Sequence, residues 1–210
     1  MPRRGIIHRS AVAPYRVRHV DPSARGRVVW RRAEYERLVD LGVFTGERLE
    51  LLDGLLVVRE PQDSLHASTV AQVARVLERA FGAGWHVRQH APLALDDASE
   101  PEPDVAVVAG EPAAYRTAHP GTAALVVEVA DSSLRLDRRL KAALYARNRL
   151  PEYWIVNLVD ATLEVARDPR PTPEAPESWR YTVVEVLPAF ATVSPLGAPD
   201  SVVAVSDLLP

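Results

Sequence analysis

Two stretches of this sequence restrict what it can fold into. Asp104–Ala109, DVAVVA, and Ala123–Ala130, AALVVEVA, are almost unbroken runs of small and β-branched apolar residues. A half-exposed strand alternates apolar and polar side chains. These runs do not, so they predict strands covered on both faces, in the middle of a sheet flanked by helices. Each run carries one carboxylate, Asp104 at its mouth and Glu128 inside it. An isolated buried carboxylate is costly unless it is neutralised or paired, so each acid needs a cation nearby. Pro101 and Pro103 precede Asp104. Residues before proline are driven extended, and a strand can begin on proline because its missing N–H is tolerated there. The prolines read as a stiff mount for an acid.

The surrounding elements follow from periodicity. Trp30–Leu41 reads as a helix with Gly42 as its stop, and Ser64–Ala80 as a second helix capped by Ser64. Glu47–Glu60 reads as a hairpin turning at Asp53-Gly54. Trp85–Leu95 reads as extended chain interrupted by Pro92. Arg135–Asn148 reads as a helix. Glu152–Val159 and Thr162–Asp168 read as a hairpin, Asp168–Ser178 as a proline-rich loop and Trp179–Leu187 as a last strand. Hairpins plus one crossover helix predict an α/β or α+β fold around one central sheet. Tyr153 and Trp154 alternate with apolar neighbours and read as core, with base stacking the alternative.

Composition excludes several functions. There is no cysteine, so disulfides, Cys-based zinc sites and thiol catalysis are ruled out, and a cytoplasmic location is expected. No apolar run approaches the roughly 18–20 residues that span a bilayer, and the N-terminus lacks the apolar segment of a secretory signal. No phosphate-binding glycine loop, nucleophile-elbow serine or zinc-protease helix motif occurs. Net charge is −3, which gives no general attraction to nucleic acid. Residues 1–28 form an Arg-rich extension, read as a disordered tail or an over-extended start site, with phosphate contact as the alternative.

Of the 25 basic residues, Lys141 is the only lysine. Asp137, Lys141 and Tyr145 recur every four residues and share one helical stripe. Leu136, Leu140 and Leu144 form a neighbouring apolar stripe that packs on the sheet. A helix returning from Glu128 can lay Lys141 over both acids. The pair of acids suits a hard divalent cation such as Mg²⁺.

These residues resemble the PD-(D/E)XK nuclease superfamily. ELLDG (50–54), PEPDVAVV (101–108), VVEVADSS (126–133), DRRLKAALY (137–145) and PEYWIVN (151–157) resemble, in order, the Uma-two family of small bacterial proteins described as restriction endonucleases. The resemblance covers roughly residues 30–190. It implies a restriction-endonuclease-like central mixed β-sheet flanked by helices over residues 29–190, followed by a C-terminal extension, 191–210, packed on it. The superfamily lysine lies two residues after the acid, where this chain has Ala130. The resemblance implies that Lys141 replaces it.

Mg²⁺-dependent hydrolysis of DNA is therefore the expected activity, with Mn²⁺ as a substitute. Asp104, Glu128 and Lys141 are the expected catalytic residues. Asp104, Glu128 and Glu50 are the expected metal ligands. His66 is expected to contact phosphate or substrate, and Asp137 and Tyr145 to orient Lys141. A homodimer is expected from the resemblance. The alternative is a nuclease-fold protein that binds or regulates without cutting.

Overall fold

The computed structural model describes residues 15–17, 29–59, 61–173 and 175–210. The expectation for residues 1–28 falls outside these, apart from β1 (Tyr15–Val17). Then follow α1 (Arg32–Asp40), β2 (Leu49–Leu52), β3 (Leu55–Arg59), α2 (Ser64–Phe81), β4 (Trp85–Gln89), β5 (Val105–Ala109) and β6 (Leu125–Ala130). The crossover helix is made of α3 (Leu134–Leu136), a π-helical turn (Asp137–Lys141) and α4 (Ala142–Arg147). The chain ends with β7 (Glu152–Asn157), β8 (Thr162–Thr172), β9 (Ala175–Pro188), β10 (Thr192–Val193) and β11 (Val203–Ala204).

Six strands form the main sheet in the order β4-β5-β6-β7-β8-β9. Only β6 and β7 are parallel, joined by the crossover helix. The fold is thus a mixed sheet flanked by helices, of the restriction-endonuclease-like α/β kind. The two unbroken apolar runs lie side by side in its interior, and every residue of β6 is buried. On one face, Val70, Val73, Leu77 and Phe81 of α2 pack on Val105, Val107, Val127 and Trp154. Val203, Val205 and Leu208 join that layer. On the other face, Leu144 and Tyr145 of α4, with Leu52 and Val57, pack on Ala106, Val126 and Tyr153. Tyr153 and Trp154 are core residues with almost no exposure.

The β2–β3 hairpin turns through Asp53 at φ 51° and Gly54 at φ 75°. Two left-handed residues make the tight turn that matches strand twist. A β-carbon at Gly54 would run into the Val29 side chain. Gly54→Ala is expected to destabilise the fold by about 1–2 kcal/mol through strain and this contact, read as a lower urea midpoint with unchanged slope.

Two local expectations are corrected. The cap of α2 is Asp63, whose carboxylate accepts from the His66 N–H at 2.8 Å, and Ser64 is the first helical residue. The proline-rich segment is not a loop. β8 runs to Thr172 and pairs with β9, matching Pro169 with Tyr181 and Pro171 with Trp179. β7 covers β8 only as far as Arg167. Beyond Arg167 one edge of β8 is left uncovered by β7, the kind of place in a sheet where proline is tolerated.

Candidate active site

The register of β5 and β6 pairs Val105 with Val127 and Ala106 with Val126. Carried one residue further, it sets Asp104 opposite Glu128. The geometry agrees: the Val129 N–H donates to Asp104 Oδ2 at 2.9 Å. Both acids sit on the face covered by the crossover helix and the small hairpin. Glu50 enters from β2, and Asp137, Lys141 and Tyr145 enter from the helix. Each of these six residues is at most 2% exposed.

Lys141 does reach the acids. Its Nζ donates to Glu128 Oε1 at 3.0 Å and lies 3.5 Å from Glu50 Oε1. The Tyr145 hydroxyl donates to the same Glu128 oxygen at 2.7 Å. Tyr145 therefore fixes Glu128 directly rather than through the lysine. Asp137 is buried one turn before Lys141, and neither of its carboxylate oxygens has a hydrogen-bond partner. The expected stripe survives, but through a π-helical turn that begins at Asp137 and ends at Lys141. Such widened turns cost hydrogen-bond geometry and recur at functional sites.

Asp104 is held from several sides. Its Oδ1 accepts from Arg59 Nη2 at 2.8 Å and from Gln62 Nε2 at 3.0 Å. His66 Nε2 is 3.2 Å from Oδ2, and His90 Nδ1 is 3.5 Å from Oδ1. His66 thus stands on the acid itself. The lead-in is pinned as well. The Glu102 N–H donates to Glu50 Oε2, the Glu102 carbonyl accepts from Arg59, and the Asp104 carbonyl accepts from the His90 N–H. The stiff mount expected from the prolines is a segment clamped at three points.

Charge explains the proton affinities. Burial pushes the Glu128 carboxyl up to about 8; Lys141 opposes the shift and Asp104 adds to it. Burial raises Asp137 to about 6, again against the pull of Lys141. Asp104 goes the other way. Burial raises it, but the hydrogen bond from His66 and the Arg59 charge hold it below the usual carboxylate range. The site therefore contains one firmly ionised acid and one that holds its proton near neutral pH.

Four buried carboxylates, Glu50, Asp104, Glu128 and Asp137, face two fixed cations, Lys141 and Arg59. Glu50 Oε1 and both Asp137 oxygens accept no hydrogen bond. Hard oxygen donors in excess of positive charge fit a divalent cation such as Mg²⁺. Among the described residues, however, no group of three or more His, Cys, Asp or Glu side chains is arranged around a common metal position. The reason is visible in the hydrogen bonds: Arg59, Gln62 and Val129 fill the Asp104 oxygens, and Lys141 and Tyr145 share one Glu128 oxygen. Both Asp104 oxygens and one Glu128 oxygen are thus already engaged by donors of the protein.

Residues 32–202 match the family model for Uma2, described as "Putative restriction endonuclease". The chain belongs to the Uma2 family. No curated protein matches it. Among solved structures, a protein from Anabaena variabilis described as a putative nuclease belonging to DUF820 is similar, with a TM-score of 0.59 at 14% identity. The match covers 78% of this chain and 90% of that one, and it supports the shared fold. Membership of Uma2 places the chain among nuclease-like proteins. Among the described residues, no helix is long and apolar enough to cross a membrane.

Arg59, Gln62 and His90 are the site residues of this Uma2 chain that sequence reasoning passed over. Arg59 carried a signal. It ends the apolar strand LLVVR, and a cation there faces the same burial problem as Glu128. His90 carried none. It lies in the Trp85–Leu95 stretch that reads as extended, yet it follows β4 at φ 47°, a backbone region that side chains seldom adopt.

Proposed function

We propose that this protein is a metal-dependent nuclease that hydrolyses phosphodiester bonds in DNA. The observation that carries the proposal is the meeting of Asp104, Glu128 and Lys141, which lie on three separate elements, in one buried cluster. Asp104 and Glu128 would hold Mg²⁺ or Mn²⁺, with Glu50 behind them. The ion would supply Lewis-acid polarisation of a phosphoryl oxygen and acidify a bound water. Arg59 keeps the Asp104 carboxylate ionised and in place. Tyr145 fixes the rotamer of Glu128. Lys141 offers its ammonium to charge that grows on the phosphate, a group already oriented before substrate arrives.

The approach runs past the partly exposed groups beside Asp104: His66, His90 and Glu102, with Arg48 outside them. The acids themselves are covered, so substrate binding must shift Gln62 or the histidine side chains. A homodimer would place two such sites for cutting both strands of a duplex.

The test is cleavage of supercoiled plasmid and of single-stranded DNA in Mg²⁺ or Mn²⁺, with EDTA as control, alongside a calorimetric titration of metal. Metal-dependent nicking is the expected result. A second reading, a nuclease fold that binds DNA or a protein partner without cutting, is favoured by the filled oxygens of Asp104. Folded protein that neither takes up metal nor cuts any DNA would establish it.

A further inference from the structure

A second concave site lies on the other flank of the crossover helix. It is a cavity of about 230 Å³ between that helix and strands β7, β8 and β9. Tyr153, Trp179, Tyr181 and Ile155 line it, and Arg138, Arg139 and Arg180 stand around it. The Tyr153 hydroxyl donates to the Asp137 carbonyl and the Tyr181 hydroxyl to the Leu150 carbonyl. Their polar tips are therefore satisfied inside the protein, and their rings are nearly parallel, 6.2 Å apart at 25°. The Arg149 guanidinium lies 5.7 Å from the centre of the Trp179 ring.

The charge of this site runs against that of the whole chain. Among the described residues, Glu164 is the only acid in the lining, and it already accepts three bonds from Arg138 Nε and Nη2 and one from Asn157. Arg139 and Arg180 are exposed, and neither pairs with a carboxylate among the described residues. Flat apolar surfaces with unpaired guanidinium groups at the rim are what a planar base carrying a phosphate requires. The volume is below the roughly 300 Å³ at which drug-sized pockets begin, which suits a single base rather than a stack of several.

We infer that this cavity takes one unpaired nucleotide of a DNA strand, its base against the partly exposed Trp179 ring and its phosphates on Arg139 and Arg180. The inference rests on the reading of DNA as substrate and extends it to a preference for single-stranded or frayed DNA. The cavity borders the acid–lysine cluster, because Tyr153 of its lining donates to the backbone carbonyl of Asp137, which begins the π-helical turn that ends at Lys141.

The test measures binding of a fluorescein-labelled thymidine dodecamer to the full chain in EDTA, where metal-dependent cleavage is off. Thymidine monophosphate and inorganic phosphate are run in parallel. Arg139→Glu with Arg180→Glu alters only exposed side chains and is expected to weaken dodecamer binding at least ten-fold and to flatten its salt dependence. Trp179→Phe is expected to weaken it several-fold and to remove most of the quenching of tryptophan emission by the dodecamer. The monophosphate is expected to bind far more weakly than the strand. Unchanged affinity in the double variant overturns the inference. So does a change of oligomeric mass by light scattering in these variants without a change in DNA affinity, which would make the cavity a protein interface. A wild-type protein that cuts no DNA yet binds the strand through Arg139 and Arg180 would refute the nuclease reading and leave the cavity assignment standing.

Discussion

Lys141→Met is expected to abolish metal-dependent cleavage and to destabilise the fold by about 3–5 kcal/mol at alkaline pH. Lys141 is fully buried, and its ammonium is the group that faces both Glu128 and Glu50. Methionine keeps much of the volume but leaves these carboxylates uncompensated in a site from which water is excluded. Removing one partner of a buried pair costs on this scale because the other charge stays behind. The loss should shrink as pH falls. Glu128 takes up its proton below about 8 and then needs no cation. Urea unfolding at pH 9 and pH 5 reads the difference directly. An equal loss at both values would mean that packing, not charge, is what the lysine provides.

Glu128→Gln is expected to lower cleavage by about 10²–10³-fold, the scale of losing one preorganised electrostatic group, while stabilising the metal-free protein at high pH. The ordinary value of such a carboxyl is 4.5, and in the folded chain it rises to about 8. Between these values the folded state holds a proton that the unfolded state has released. Stability therefore falls as pH rises through that window. Glutamine has no proton to lose, and its carbonyl can still accept from Tyr145 and Lys141. Wild type and variant should melt alike near pH 5, and the variant should melt higher near pH 9, both in EDTA. A variant that melts lower throughout would show that the ionised carboxylate supports the fold.

The candidate cluster was legible in the sequence to an unusual degree, for reasons tied to particular residues. Asp104, Glu128 and Glu50 stand out because carboxylates inside apolar runs demand an explanation. Lys141 stands out as the only lysine of the chain. Tyr145 and Asp137 follow from helical spacing. The residues that complete the setting of Asp104 were harder to find. Arg59 is one of many arginines, and Gln62 lies in a connecting segment with no pattern of its own. His90 depends on a left-handed backbone that nothing nearby announces. The prolines of β8 misled for a related reason. Proline disfavours strands wherever an N–H is needed, and only the extent of a neighbouring strand reveals whether it is needed.

Local chemistry alone determined which segments would be buried strands, where the hairpins turn, and which charged residues could not stay unpaired. These follow from burial cost and backbone preference, which act residue by residue. Tertiary structure alone decided the antiparallel register that brings residue 104 level with residue 128, the widened helical turn over them, and the filling of the Asp104 oxygens by Arg59 and Gln62. Those are relations between segments up to 45 residues apart, and they are set by the packing of whole strands and helices against one another.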